Sequence, residues 1–221
     1  MLKVVVFDGG YGGEFFADQL ETELPILEVI RVIDWRNADG LLTSPRKARK
    51  VAKAALRPYI GKVDLIIFAN HLLSLTSLKY FCRKYKNQKF IGFNLKHPDT
   101  FIKRDVLILT TKAVARTINY HNFLFQIHRK SQTLALDNWP AEIDEGELTE
   151  SRIREVFQKT HFKKHFHPEE VVLACSQFND IKVELKNIFG PNLKIHDSFN
   201  DTIRNTCKIL NIRGGTGKKS N

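Results

Sequence analysis

The sequence predicts an α/β fold built from two βαβ-type parallel-sheet domains with a cleft between them. Short apolar runs alternate with helical patterns along almost the whole chain, which is typical of parallel sheets covered by helices. One segment of the first half returns in the second half with the same layout. The length of 221 residues, with 43% hydrophobic and 27% charged residues, also fits a globular protein with packed cores.

Strands are predicted from short apolar runs rich in β-branched residues. Such runs are too short for a helix and suit a strand that is buried on both faces. The predicted strands are 2–7, 27–33, 64–68, 90–93, 106–109, 171–174 and 193–196. Ligands of parallel sheets bind beyond the carboxyl ends of the strands, so the residues after each strand are candidates for chemistry.

Helices are predicted between these strands from amphipathic spacing and from start and stop signals. Ser44 and Pro45 mark one start, because serine caps a helix and proline suits its first turn. The predicted helices are 14–24, 45–57, 72–85, 112–128, 149–160, 180–188 and 202–210. The pattern weakens from Ser131, and the segment up to residue 151 is predicted to contain an irregular crossing.

The repeated segments begin at Asp64 and Glu170. Each reads as a strand, a turn and a helix, followed by a further strand. At the strand ends, the aligned pairs are Ala69 with Cys175, Asn70 with Ser176, and His71 with Gln177. Two such halves would each present one turn to a cleft. The predicted domains are residues 1–90 with 197–221, and residues 91–196.

The formal net charge is +11, from 35 Lys and Arg against 24 Asp and Glu. A basic protein attracts polyanions, which raises the question of a nucleic-acid partner. The basic residues follow predicted helices, around 46–53 and 79–86, and we interpret them as solvated helix faces rather than as a dedicated nucleic-acid surface. The sequence leaves a homodimer open.

No apolar run approaches the roughly 20 residues that a membrane span needs, and the first residues lack the pattern of a signal peptide. The 3 cysteines are too few and too scattered for a disulfide framework or a zinc site. We therefore expect a cytoplasmic protein with no membrane partner.

A glycine-rich turn, VFDGGYGG, follows the first predicted strand. Glycines leave backbone N–H groups free to approach a ligand, and the start of the next helix adds partial positive charge. A carboxylate or phosphate would fit at Gly9 and Gly10, although a plain tight turn explains the glycines equally well. Asp8, at the strand end, is a candidate to orient a substrate ammonium group or to tune a neighbouring acid or base.

Cys175 follows a predicted strand in the sequence ACSQF, just before a helix. The start of a helix favours the thiolate, and this position suits a nucleophile or a proton carrier. The alternative is a small buried hydrophobic residue, and the position favours function. Cys82 and Cys207 lie inside helical patterns and are interpreted as core residues.

Asn70 and His71 follow the equivalent strand of the first half, in the sequence FANHL. They offer hydrogen bonds or a base, although His71 is equally able to cap the helix or to lie exposed. The histidines at 161, 165 and 167 lack a carboxylate or cysteine of fitting spacing, so no metal site is predicted.

These three turns, in this order, resemble those of the aspartate/glutamate racemase superfamily, and of glutamate racemase in particular. The family opens with a strand ending Phe-Asp-Ser-Gly-x-Gly-Gly, where this chain has FDGGYGG. The family's two halves carry Cys-Asn-Thr and Gly-Cys-Thr-His, where this chain has ANH from Ala69 and ACSQ from Ala174. Segments 188–202 and 33–52 also resemble family segments, the second with Gly40 retained, and the likeness extends over residues 2–211.

The resemblance implies a small carboxylate or amino-acid ligand and no metal, nucleotide or pyridoxal cofactor. It implies catalytic roles for Asp8 and Cys175. The substrate-binding residues that it implies are Gly9, Gly10, Gly40, Asn70, Ser176 and Gln177.

The departures from the family pattern include a proton carrier, and they also place Gly9, His71, Gln177 and Asp39 where the family has Ser, Thr, His and Tyr. In the family, two thiols flank the substrate α-carbon, and one removes the proton while the other delivers one to the opposite face. Ala69 replaces the first thiol and cannot carry a proton, whereas Cys175 keeps the second. We therefore expect two-thiol racemisation to be impaired.

Three interpretations follow. In a diverged isomerase, His71 replaces the missing carrier. In a one-thiol enzyme, resembling the arylmalonate decarboxylases of the same superfamily, Cys175 supplies a single protonation. In a non-catalytic relative, the fold binds a small acid or a protein partner.

Overall fold

The computed structural model describes residues 1–95, 105–127, 131–160, 162 and 166–213. The chain divides into two compact units. Unit 1 comprises Met1–Asn94 with Phe199–Asn221, and unit 2 comprises Leu95–Ser198. Each unit contains a four-stranded parallel sheet with flanking helices, which confirms the predicted α/β class.

The elements of the two units are as follows. The strands are β1 (Leu2–Asp8), β2 (Leu27–Ile33), β3 (Leu65–Phe68), β4 (Phe90–Gly92), β5 (Val106–Thr110), β6 (Ser131–Ala135), β7 (Glu170–Ala174) and β8 (Lys194–His196). The helices are α1 (Tyr11–Glu23), α2 (Ala38–Thr43), α3 (Pro45–Leu56), α4 (His71–Lys84), α5 (Lys112–Ala115), α6 (Ile118–Gln126), α7 (Trp139–Asp144), α8 (Glu150–Lys159), α9 (Lys182–Phe189) and α10 (Phe199–Leu210).

The sheet of unit 1 has the strand order β2-β1-β3-β4, and side chains alternate between its two faces. Val4 and Val6 pack in one core with residues of α1 and α10. Val5 and Phe7 pack in a second core with residues of α2, α3 and α4. Since β1 is buried on both sides, its sequence is a continuous apolar run rather than an alternating one.

Two side-chain caps fix where helices of unit 1 begin. The Ser44 hydroxyl accepts a hydrogen bond from the Lys47 N–H at 3.4 Å, which confirms the predicted start of α3. The Asn70 side chain accepts from the Leu73 N–H at 2.9 Å and so begins α4 directly after β3. Each cap satisfies an amide that has no partner within its helix.

The sheet of unit 2 has the order β6-β5-β7-β8, so it repeats the topology of unit 1 with β7 in the place of β3. The two segments aligned by the sequence repeat therefore occupy the same position in their sheets. At the other end of β7, the buried Glu170 carboxylate contacts His196 Nε2 of β8 at 2.5 Å.

The predicted helix 112–128 is wrong, because the structure breaks it into α5 and α6. Thr117 caps α6 by accepting from the Tyr120 N–H at 3.2 Å, and its hydroxyl donates to the Val114 carbonyl at 2.8 Å. A threonine that binds nearby backbone groups competes with a continuous helix.

The segment from Ser131 to residue 151 is also more regular than predicted. It contains β6 and α7, and α8 follows from the Thr149 cap. Because β6 is an edge strand and half-buried, its sequence lacks the continuous apolar run that identifies the central strands. A 3₁₀ helix over Trp35–Asn37 and the short α2 were likewise not predicted. No helix among the described residues is long and apolar enough to cross a membrane.

Candidate functional site

The carboxyl edge of the unit 1 sheet holds Asp8 at the end of β1. The side chain is 1% exposed, and its Oδ1 accepts hydrogen bonds from the Gly9 N–H at 2.7 Å and from Asn70 Nδ2 at 3.1 Å. Buried carboxylates need such donors because desolvation is otherwise costly. The turn after β1 therefore holds Asp8 in one orientation.

Asn70 joins the two strand ends. Its Oδ1 caps α4 and its Nδ2 donates to Asp8, so both ends of the amide are used. The two side chains meet because β1 and β3 are hydrogen-bonded neighbours, with Phe7 opposite Phe68. The structure thus brings together Asp8 and Asn70 as side chains of adjacent turns.

The glycines of the first turn are buried by close packing. A Cβ at Gly9 would lie 2.8 Å from Leu41 Cδ1, so the α2 helix, which contains Gly40, packs directly on this turn. The Gly9 N–H is already used by Asp8. Gly10 directly precedes α1 and has no side chain that could accept a hydrogen bond from the first backbone amides of this helix.

The residues at the end of β3 are also buried. Ala69 is fully buried in the core with Phe93 and Phe199. His71, the first residue of α4, is 3% exposed, and its ring centroid lies 5.3 Å from that of Phe93. His71 is therefore an interior side chain and not an exposed one.

In unit 2, the turn after β7 brings Cys175, Ser176 and Gln177 together. The Cys175 thiol donates to Gln177 Oε1 at 3.1 Å, and the Ser176 hydroxyl donates to the same oxygen at 3.0 Å. All three residues are at least 96% buried. The amide of Gln177 thus orients both a thiol and a hydroxyl at one strand end.

The helix predicted to follow Cys175 begins differently from expectation. Gln177–Ile181 forms a 3₁₀ helix, and α9 starts only at Lys182. The backbone N–H and the side-chain amide of Asn179 both donate to the Ser176 carbonyl, which tightens this turn. Cys175 therefore precedes a 3₁₀ turn, and the α-helix start expected to favour its thiolate lies further along the chain, at Lys182.

The core assignment of the other two cysteines needs correction. Cys82 is exposed on α4, because it follows Phe81, which takes the buried position of that turn. Cys207, a residue of α10, is only partly buried and packs at the margin of the core. Desolvation by neighbouring protein atoms raises the pKa of both thiols.

Sequence reasoning missed a polar pair at the carboxyl end of β5. Thr110 and Thr111 are 0% and 3% exposed, and Thr111 caps α5 by accepting from the Val114 N–H. The signal was present, since two threonines directly follow the apolar run of the strand. These hydroxyls lie at the same sheet edge as Cys175, because β5 and β7 are parallel neighbours with Thr110 opposite Ala174.

The described residues contain no group of three His, Cys, Asp or Glu side chains arranged to hold a metal ion. His161 and His165 lie outside the described residues, whereas His167 is described and exposed.

Comparison with solved structures identifies the fold. Escherichia coli glutamate racemase, solved with L-glutamate and the activator UDP-MurNAc-Ala, matches with a TM-score of 0.79 at 19% identity, over 100% of this chain and 86% of the other. Francisella tularensis glutamate racemase, solved with D-glutamate, matches with a TM-score of 0.74 at 20% identity, over 98% and 84%. Picrophilus torridus aspartate racemase matches with a TM-score of 0.62 at 14% identity, over 96% and 95%.

No family model matches the chain, and no curated protein sequence matches it. The structural matches confirm the resemblance at the level of the fold: the chain has the two-domain α/β fold of the glutamate racemases.

Proposed function

We propose that this chain binds a small carboxylate or amino acid without a cofactor and transfers protons on one face of the ligand, with Cys175 as the acid/base group. The observation that carries the proposal is a difference between two equivalent turns. The position after β3 holds the buried Ala69, and the position after β7 holds the buried Cys175 beside Gln177. One such turn has a proton carrier and the other has a methyl group.

The turn of unit 1 carries groups that suit an amino-acid ligand. Asp8 is fixed by Gly9 and Asn70, and it suits the ammonium group of an amino acid through charge attraction. Amides at the start of α1 suit a carboxylate, since Gly10 contributes no side-chain cap. The solved glutamate racemases were crystallised with L-glutamate and D-glutamate, so an amino dicarboxylate is the first ligand to test.

Inversion of a stereocentre needs a base on one face and an acid on the other. A single thiolate can remove an α-proton and return one to the same face, which exchanges the proton but keeps the configuration. We therefore expect the protein to exchange the α-proton of one enantiomer faster than it produces the other enantiomer.

The test is proton exchange in D₂O. The full chain is incubated with D-glutamate or L-glutamate, and mass spectrometry follows deuterium at Cα while chiral chromatography follows inversion. The proposal predicts that one enantiomer gains deuterium at least tenfold faster than it inverts. The Cys175→Ala variant should lose this exchange, and Cys82→Ala, which removes an exposed thiol, should keep it.

Inversion of D- and L-glutamate at ordinary enzyme rates would contradict the proposal. The variant His71→Gln would then show whether His71 acts as the second carrier. If glutamate undergoes neither reaction, the same exchange assay extends to other amino acids and to hydantoins. Absence of exchange with all of them, combined with ligand binding, would indicate a non-catalytic binding protein.

A one-thiol decarboxylase is the second candidate, favoured by the same single thiol. In that reaction the bond from the α-carbon to a carboxylate breaks, CO₂ leaves, and the Cys175 thiol protonates the resulting carbanion. Solvent then restores the thiol proton. Release of CO₂ from substituted malonates, lost in Cys175→Ala, would establish this activity.

A further inference from the structure

The positive charge of this protein is concentrated in one segment. Residues 44–95 contain twelve lysines and arginines but a single acidic residue, Asp64. The net charge of this segment, +11, equals the net charge of the whole chain, so the rest of the chain carries as many acidic as basic residues. Asp64 itself directly precedes β3 and accepts a hydrogen bond from the Lys3 N–H at 2.7 Å.

The two helices of this segment, α3 and α4, lie side by side on the same face of the unit 1 sheet. Neither contains an acidic residue. The other face of the sheet is covered by α1, whose four acidic residues have no basic neighbour within the helix. The two faces of the unit 1 sheet are therefore covered by helices of opposite charge, basic on one face and acidic on the other.

Four cations form a stripe along α3: Arg46, Lys50, Lys53 and Arg57. Their spacing of four, three and four residues places them on one side of the helix, and all four side chains are exposed. At 1.5 Å per residue the stripe is about 16 Å long. The buried positions Ala48, Ala52 and Leu56 lie on the opposite side.

Lys84 of α4 extends this stripe through Tyr80. Lys84 Nζ donates to the Tyr80 hydroxyl at 3.2 Å, and Arg49 lies 4.8 Å from the centre of the Tyr80 ring. The hydrogen bond from Lys84 lowers the pKa of Tyr80, and the charges of Lys53 and Arg49 lower it further. We call the side chains of Arg46, Lys50, Lys53, Arg57 and Lys84 the basic face.

The fold does not require this arrangement. None of the five cations forms an ion pair with a carboxylate of the described residues. Like charges four residues apart destabilise a helix, and Arg46 in the first turn of α3 opposes the helix dipole. A ligand that carries a row of negative charges would remove both costs.

We propose that the basic face binds nucleic acid through its phosphate backbone, independently of base sequence. A row of phosphates matches a row of cations about 16 Å long, whereas a small carboxylate would neutralise one or two of them. The proposal replaces the interpretation of these residues as solvated helix faces, because the structure gathers them on adjacent helices with no carboxylate partner in the described part of the chain.

Two other polyanionic partners fit the surface less well. A membrane-binding helix exposes large apolar side chains, and no exposed large apolar residue occurs in segment 44–95. In the acidic helix α1 of a second copy, three of the four carboxylates already share Arg31, which pairs with Glu14, Asp18 and Glu21 at 3.1, 2.6 and 2.7 Å.

The test is fluorescence anisotropy of a labelled 20-base-pair DNA duplex with the full chain, repeated at several salt concentrations. Each phosphate contact contributes about −0.9 to the slope of log K against log salt concentration. Five contacts predict a slope of about −4.5. The triple variant Lys50→Gln, Lys53→Gln, Lys84→Gln should bind at least tenfold more weakly in low salt, with a slope shallower by about 2.7.

The matched control removes three exposed lysines of unit 2: Lys112→Gln, Lys159→Gln and Lys186→Gln. Both triple variants have the same net charge, and thermal unfolding confirms that each is folded. The proposal is overturned if the control weakens binding as much as the basic-face variant, or if the wild type does not bind the duplex in 50 mM salt. Equal competition by polyglutamate, or binding to phosphatidylglycerol vesicles in preference to DNA, would also overturn it.

Discussion

At the scale of single residues, Asn70 is the side chain on which the unit 1 turn depends. It begins α4 and it holds the buried Asp8 carboxylate, so one amide links an element boundary to a candidate catalytic group. Sequence reasoning placed both residues at strand ends. It did not find the contact between them, because that contact arises from the pairing of β1 with β3 and not from spacing along the chain.

Replacing Asn70 with alanine removes both interactions. Loss of the helix cap costs about 1 kcal/mol, and loss of a donor to a buried carboxylate costs about 1–3 kcal/mol. We therefore expect Asn70→Ala to lower the free energy of unfolding by roughly 2–4 kcal/mol, measured by urea denaturation. Ser44→Ala, which removes a cap in the same unit, should cost about 1 kcal/mol or less. Equal costs for the two variants would show that the Asp8 contact contributes nothing.

Gly13 has a packing role that its place in a helix conceals. A Cβ added there would lie 2.4 Å from Asp8 Cβ and 2.9 Å from Ile33 Cδ1. Gly13→Ala gains about 1 kcal/mol of helix propensity, but overpacking against the strand costs about 1–3 kcal/mol. We expect net destabilisation and weaker ligand binding, since Asp8 must move. Calorimetry of unfolding and of ligand binding would measure both effects, and a stabilised variant with unchanged binding would refute the argument.

At the scale of elements, the sequence identified the four central strands and three of the four edge strands, and it missed the edge strand β6. Strands β1, β3, β5 and β7 are buried on both faces, and their continuous apolar runs distinguish them from helices. The edge strand β6 is half-buried and carries Ser131, Gln132 and Thr133, so its identity depends on pairing with β5. Long-range pairing of this kind leaves little trace in the local sequence.

The packing of α6 against β6 produces a measurable pH dependence. Tyr120 of α6 is 1% exposed, its hydroxyl is 2.6 Å from Thr133 Oγ1, and burial raises its pKa to about 12. An unfolded tyrosine ionises near pH 10. The stability that Tyr120 contributes is therefore complete well below pH 10, and about 2 kcal/mol of it is lost as the pH rises from 10 to 12.

Urea denaturation of the wild type and of Tyr120→Phe between pH 9 and pH 12 measures this effect. Below pH 10 the variant should be about 1 kcal/mol less stable, because it lacks the hydrogen bond to Thr133. As the pH rises the wild type should lose stability relative to the variant. Thr133→Val removes the same hydrogen bond but keeps the Tyr120 phenol. This variant should therefore still lose stability as the pH rises. A constant difference between wild type and Tyr120→Phe would show that Tyr120 ionises equally in both states.

At the scale of the whole molecule, two units of the same topology have diverged in the chemistry of equivalent turns. The sequence repeat aligned Ala69 with Cys175, and the structure places both directly after the third strand of a four-stranded sheet. Sequence reasoning therefore located the proposed difference in proton carriers. It did not locate the hydrogen bond from Cys175 to Gln177, because a 3₁₀ turn replaces the expected helix start there.

Restoring a thiol at the first turn tests whether that difference limits the chemistry. In Ala69→Cys, we expect racemisation of an accepted amino acid to rise at least tenfold above the wild type, since a positioned acid or base contributes roughly 10²–10⁴. Ala69 is fully buried, so the larger side chain costs about 1–3 kcal/mol of stability, which thermal unfolding measures. Ala69→Ser adds a group of similar size with no thiol and should remain at the wild-type rate. The double variant Ala69→Cys, Cys175→Ala should lose the gained activity. If Ala69→Cys folds and still exchanges one enantiomer without inversion, the position after β3 does not face the reacting carbon.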